Sequence, residues 1–255
     1  MDWDSCCSGH GLTRAAFIGR SAAVAGAALA GSAVLPAAAI AGPSDHHRRI
    51  PQPGQVPDTR LARAVADFAA GAYPRFLADH CQRSFELAVL IAATEGISVD
   101  LEVLYAGVLL HDLGLTQQFH SSAARFEVAS ADAARSFVRE HGLAPERAEA
   151  VWDVVVLHGT GGIAAHKSVE TSVAADGIGR DVTGLGLDEF PKDVVDLIMA
   201  TRPGFAKPFI DAIVSDLQDK PQVANSTWMM LIAEAHIPSF HPVSVETLAF
   251  ADPYE

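Results

Sequence analysis

The chain has 255 residues, of which 49% are hydrophobic and 19% charged, with a formal net charge of −13. That length and composition suit one domain with a real hydrophobic core and exclude a chain that is disordered through its body. So acidic a surface weighs against nucleic acid and anionic membrane surfaces as partners, although a bound metal can still hold a small anion in an acidic protein.

Residues 1–41 read as a targeting segment. Leu-Thr-Arg-Ala-Ala-Phe-Ile-Gly-Arg at 12–20 leads into an uncharged, Ala/Gly-rich stretch from Ser21 to Ala41, closing on Ala39-Ile40-Ala41-Gly42, a pattern suited to signal peptidase. The segment resembles a bacterial twin-arginine leader. Thr13-Arg14-Ala15-Ala16-Phe17-Ile18 stands where such leaders carry Ser/Thr-Arg-Arg-x-Phe-Leu, with Ala15 replacing the second arginine and Asp2 and Asp4 offsetting the positive charge. The resemblance implies export to the periplasm or beyond, with cleavage leaving no stable membrane insertion. An uncleaved anchor, or a cytoplasmic protein, is the alternative. Cys6 and Cys7 fall in this segment, so Cys81 stands alone after it and no disulfide can form there. Residues 42–58 are polar and proline-rich and read as a linker in which His46 and His47 are solvated.

From residue 59 to 235 the apolar spacing is helical, and clear strand alternation is absent. Leu61, Val65 and Phe68 mark a first helix. Phe85, Ala88, Val89 and Ala92 mark a second over 79–95, and Leu101, Leu104, Tyr105, Val108 and Leu109 a third over 101–112. Further helices are expected near 126–141, 145–158, 169–181, 191–201, 206–218 and 226–235, with breaks at Gly96, Gly114, Gly142, Gly159-Thr160-Gly161-Gly162 and Pro203-Gly204. Ser98 and Asp100 stand where the third helix needs a cap. The expected fold is an all-α, single bundle domain followed by a tail over 236–255.

The third helix carries the chemistry. Gly107-Val108-Leu109-Leu110 is thoroughly apolar, yet it ends in His111-Asp112 before Leu113-Gly114. Burying both ionisable groups is costly unless something compensates, and one divalent cation would compensate both, zinc first, with iron or manganese also suited. Adjacent helical residues point apart, so both reach one ion best at a frayed end, where Gly114 loosens the backbone. A histidine answering the helix dipole is the plain alternative. Short connections make neighbouring helices antiparallel, which brings His80, at the start of the second helix, beside His111 and Asp112. His158 ends the run Val154-Val155-Val156-Leu157 and opens a glycine-rich loop. It is a candidate general acid/base, or a simple helix cap. Glu127 begins a helix, where a carboxylate serves either the dipole or an acid/base role.

The order His80, His111-Asp112 and a later aspartate resembles the HD superfamily of metal-dependent enzymes over roughly residues 60–220. It is closest to a cyanamide-hydratase-like branch. Asp79-His80-Cys81-Gln82-Arg83-Ser84-Phe85, Leu109-Leu110-His111-Asp112-Leu113-Gly114-Leu115, Arg125-Phe126-Glu127-Val128, Leu157-His158 and Asp181-Val182-Thr183-Gly184 carry the resemblance. It implies a fourth metal ligand, Asp181 or alternatively Asp176; five residues apart on one helix they point about 140° apart, so at most one faces the site. It also implies a hydratase adding metal-activated water to a small nitrile-like molecule, with His158 or Glu127 as catalytic acid/base. A phosphohydrolase, with Arg83, Arg125 or Lys167 for the phosphate, and a silent binding or sensing scaffold are the competing readings.

Overall fold

A computed structural model describes residues 47–244, so the leader and His46 lie outside the described residues. Nine α-helices are described: α1 (Arg60–Ala72), α2 (Arg75–Glu95), α3 (Leu101–Leu109), α4 (Phe126–Glu140), α5 (Pro145–Leu157), α6 (Val169–Thr183), α7 (Lys192–Ile198), α8 (Ala206–Gln218) and α9 (Met230–His236). Short 3-10 turns join several of them. The one strand pair described is β1 (Arg48–Arg49) antiparallel to β2 (Val99–Asp100), with Arg48 opposite Asp100. None of the described helices is long and apolar enough to cross a membrane.

Local chemistry sets the helix ends. The Thr59 hydroxyl accepts from the Ala62 N–H at 3.0 Å and starts α1, and Asp100 accepts from the Val103 N–H at 3.2 Å and starts α3. Gly96 and Gly184 close α2 and α6 in the left-handed conformation that only glycine adopts cheaply. Two ends depart from the sequence expectation. Pro74 ahead of Arg75 is a natural entry to a helix, so α2 begins a turn earlier than residue 79 and His80 sits in its second turn. α3 stops at Leu109, so His111 and Asp112 follow the helix rather than end it.

α2 is the central element, buried on more than one face through Leu77, Cys81, Phe85, Leu87, Ala88 and Ile91. It packs along α6 and α3, while α4 pairs with α5. The approach of α6 to α2 is close enough that a Cβ on Gly177 would lie 2.7 Å from the Ser84 carbonyl oxygen and 2.8 Å from the Ala88 nitrogen. Both are backbone atoms that cannot step aside.

The stretch expected as a linker is anchored where it is described. Arg48 donates to both oxygens of the buried Glu170 (2.8 and 3.1 Å), which also accepts from the Asp100 N–H at 2.9 Å. Asp100 in turn accepts two bonds from Arg147, and Arg147 reaches Glu102. This ionic lattice joins β1 to the starts of α3, α5 and α6. The C-terminal boundary shifts in the same sense, because Ile237 and Phe240, beyond α9, are buried in the core. A second polar anchor is Lys220, fully buried after α8. Its ammonium donates to the carbonyls of Ser121 and Ala124, each at 2.7 Å, and pairs with Asp216 at 2.8 Å. It thereby fixes the loop that leads from the metal-site turn into α4.

The α2–α6 contact yields a paired test. Gly177→Ala should lower stability by about 1–3 kcal/mol through overpacking. Gly179→Ala, whose Cβ would meet nothing within 4 Å, should leave stability unchanged or raise it by up to about 1 kcal/mol. Urea denaturation of the two variants decides it; equal midpoints would mean the helices do not pack this closely.

Candidate metal centre

Three donors meet where α2 passes the end of α3. Leu110 caps α3 with φ −109° and ψ 6°, and Asp112 follows with φ −105° and ψ 11°, so the backbone has left the helix. In this non-helical turn, neighbouring side chains that would diverge on a helix converge on one point. Gly114 contributes differently from the expected loosening. A Cβ there would lie 2.4 Å from the Phe126 carbonyl oxygen, and the Gly114 N–H donates to Ser130 Oγ at 2.7 Å. The glycine is required because the start of α4 lies against the turn, and that contact brings Glu127 to the site.

His80, His111 and Asp112 are buried, and one ligand atom from each lies within 4.8 Å of the other two. The two imidazole Nε2 atoms are 3.2 Å apart, and Asp112 oxygens lie 3.4 Å from His111 Nε2 and 3.7 Å from His80 Nε2. The outer nitrogens settle the tautomers. His111 Nδ1–H donates to the Val108 carbonyl at 2.7 Å, and His80 Nδ1–H donates to Asp181 at 2.5 Å. Both Nε2 atoms therefore face the same point, where each can offer a lone pair to a cation.

Burial, reinforced by the neighbouring His158 and His80 rings, holds the His111 imidazole well below its usual range, so it is neutral. Burial pushes the Asp112 carboxyl up, and its Oδ2 has no hydrogen-bond partner among the described residues. Two imidazole Nε2 atoms and an orphaned carboxylate oxygen share one dry pocket, and a single divalent cation would satisfy all three. The donor set fits the metal inferred from the sequence.

Around the triad, α6 turns Asp181 inward, and the exposed Asp176 pairs with Arg180 at 3.1 Å. Asp181, expected as the fourth ligand, lies on the outer nitrogen of His80 and is not among the three converging donors. The cause is Arg83, buried beside it, which donates Nε–H to Oδ1 at 2.6 Å and Nη2–H to Oδ2 at 2.9 Å. Burial pushes the Asp181 carboxyl up, but the hydrogen bonds from His80 and Arg83 outweigh it and hold the group below the usual carboxylate range. A carboxylate oriented this way on the outer nitrogen fixes an imidazole for metal binding.

His158 lies at the end of α5, with its Nδ1–H donating to the Val155 carbonyl at 2.6 Å and its ring centroid 4.7 Å from that of His111. The buried Glu127 accepts from Arg125 and, at 3.3 Å, from the Trp228 indole N–H. Lys167 pairs at the surface with Asp153. Aromatic rings complete the wall: Phe205 stacks on His80 at 4.9 Å between centroids, and Phe209 lies at 5.5 Å. Neither these rings nor Trp228 carried a motif in the sequence.

Fold and site together define an all-helical protein built around a buried histidine–aspartate cluster that could hold a metal ion. Residues 77–199 match the HD domain family, a class whose members are typically metal-dependent hydrolases. No curated protein matches the chain.

Removing donors should separate metal binding from folding. His111→Ala and Asp112→Asn should each abolish retention of a stoichiometric divalent ion, measured by elemental analysis of the purified protein. Asp112→Asn should also leave the metal-free protein as stable as its parent or more so, because it removes a buried carboxylate that has no partner for one oxygen. Full metal content in both variants would overturn the site.

Proposed function

We propose that this protein is a mononuclear metal-dependent hydratase acting on a small, uncharged nitrile-like substrate of the cyanamide kind. The observation that carries the reading is the pairing of one triad with a histidine whose remaining nitrogen is free for proton transfer, at a site whose cations are already engaged. With a divalent ion in the triad, the site gains Lewis acidity and the means to ionise water near neutral pH. His80 and His111 are pre-set to bind it, because hydrogen bonds on both Nδ1 atoms leave only Nε2 to coordinate. Asp112 supplies the anionic donor.

His158 is the proton carrier. Its Nδ1–H is bound to the Val155 carbonyl, so Nε2 is the one ring nitrogen that can exchange a proton with substrate. In the proposed reaction, water adds across the carbon–nitrogen triple bond. Its oxygen bonds to carbon, one proton reaches nitrogen by way of His158, and the remaining proton shifts from oxygen to nitrogen to give the amide. Glu127 already accepts bonds from Arg125 and Trp228, which suits an orienting carboxylate better than a proton carrier.

The HD match itself favours a second reading, phosphohydrolysis. Against it, Arg83 is committed to Asp181, Arg125 to Glu127 and Lys167 to Asp153, which leaves these candidates poorly placed to receive a phosphate. A silent scaffold would have no physical reason to keep three ionisable donors buried together.

The test is turnover of cyanamide and small nitriles, beside a generic phosphodiester, by the full chain loaded with Zn2+. Hydration of the nitrile-type substrates is expected, and His158→Ala should retain one equivalent of metal while losing about 10²–10⁴-fold in kcat. Turnover of the phosphodiester alone would refute the hydratase reading.

A further inference from the structure

Trp228 lies well beyond the matched HD residues, in the turn between the 3-10 segment Pro221–Ala224 and α9. Ser226 adopts a positive φ of 60° there, a conformation that non-glycine residues rarely take. Thr227 Oγ1 donates to the Ala224 carbonyl at 2.8 Å and accepts from the Met229 N–H at 3.2 Å. The turn so built buries Met229 in the core and leaves Trp228 half-buried against the metal site.

Three contacts converge on the indole. Its N–H donates to Glu127 Oε1 at 3.3 Å, and its ring meets Phe126 edge-on with centroids 6.3 Å apart. It also lies so close over Gly159 that a Cβ there would be 2.5 Å from Nε1 and 2.9 Å from Cδ1. Gly159 has no left-handed φ, so the indole, and not backbone conformation, is what requires glycine at this position. The residue before it is His158. The loop beyond contains Gly161 and Gly162, both exposed, so the segment has little rigidity of its own.

We infer that Trp228 is a positioning residue of this site, contributed by the segment after the HD match. It clamps the His158–Gly159 peptide and tethers Glu127, and so holds the His158 ring beside His111. The inference rests on the proton-carrier role proposed for His158. Ring bulk does the clamping, and the indole N–H adds the tether to a carboxylate that Arg125 already holds.

The experiment compares Trp228→Ala and Trp228→Phe in the full chain loaded with one equivalent of Zn2+. Both variants should keep the metal, since no triad residue is touched. Trp228→Ala should speed amide hydrogen exchange at 158–163 and lower kcat on the order of tenfold with KM little changed, a positioning loss. Trp228→Phe, which retains an aromatic ring over Gly159, should restore the protection and most of the kcat. Unchanged exchange at 158–163 in Trp228→Ala, or equal damage in the two variants, overturns the inference. If the parent protein turns over none of the nitrile-type substrates, the functional reading fails, and the exchange data still decide whether Trp228 clamps His158.

Discussion

Two imidazole Nε2 atoms and a carboxylate oxygen are gathered into one dry space where a single cation would satisfy them all. The Val108 carbonyl and Asp181 occupy the outer nitrogens of His111 and His80, so neither ring can turn its Nδ1–H inward without losing a buried hydrogen bond. Asp112, with one oxygen unpartnered, adds a third lone pair to the same point. Such an arrangement is tolerable with a cation and costly without one, and the other features of the site follow from that imbalance.

The surroundings keep the charge balance local. Arg83 neutralises Asp181 behind His80, Arg125 neutralises Glu127, and the rings of Phe205, just before α8, and Phe209, within it, cover the His80 face. Internal ion pairs of this sort contribute little net stability, but they fix orientation, and orientation is what a metal site demands. The same pairings leave the pocket without arginines free to attract an anion.

Much of this was legible in the amino-acid sequence. The 3.6-residue spacing marked each long helix, and an apolar run ending abruptly in His111-Asp112 marked the metal turn. What escaped was set by contacts remote in sequence. The motif that marked Asp181 as a ligand gave no sign that the buried guanidinium of Arg83, on another helix, pairs with it. Gly114 looked like a hinge, but the carbonyl of Phe126 pressing on it is a packing constraint that no local pattern reveals. The anchoring of residues 48–49 depends on Glu170 across the fold, and Trp228 carries no signature at all. Local periodicity reports which face of a helix is buried; it says nothing about which partner waits there.

The buried ammonium of Lys220 has a consequence for how the molecule is assembled. It answers carbonyls of Ser121 and Ala124, almost a hundred residues earlier, in the loop running from the metal turn to α4. The stretch recognised as an HD domain is thus not self-sufficient. Cut at residue 199, it would lose this ammonium, the Phe205 ring over His80 and the Trp228 clamp together. An ion held by this cluster would therefore be fully enclosed only once residues beyond 199 have packed onto the matched stretch.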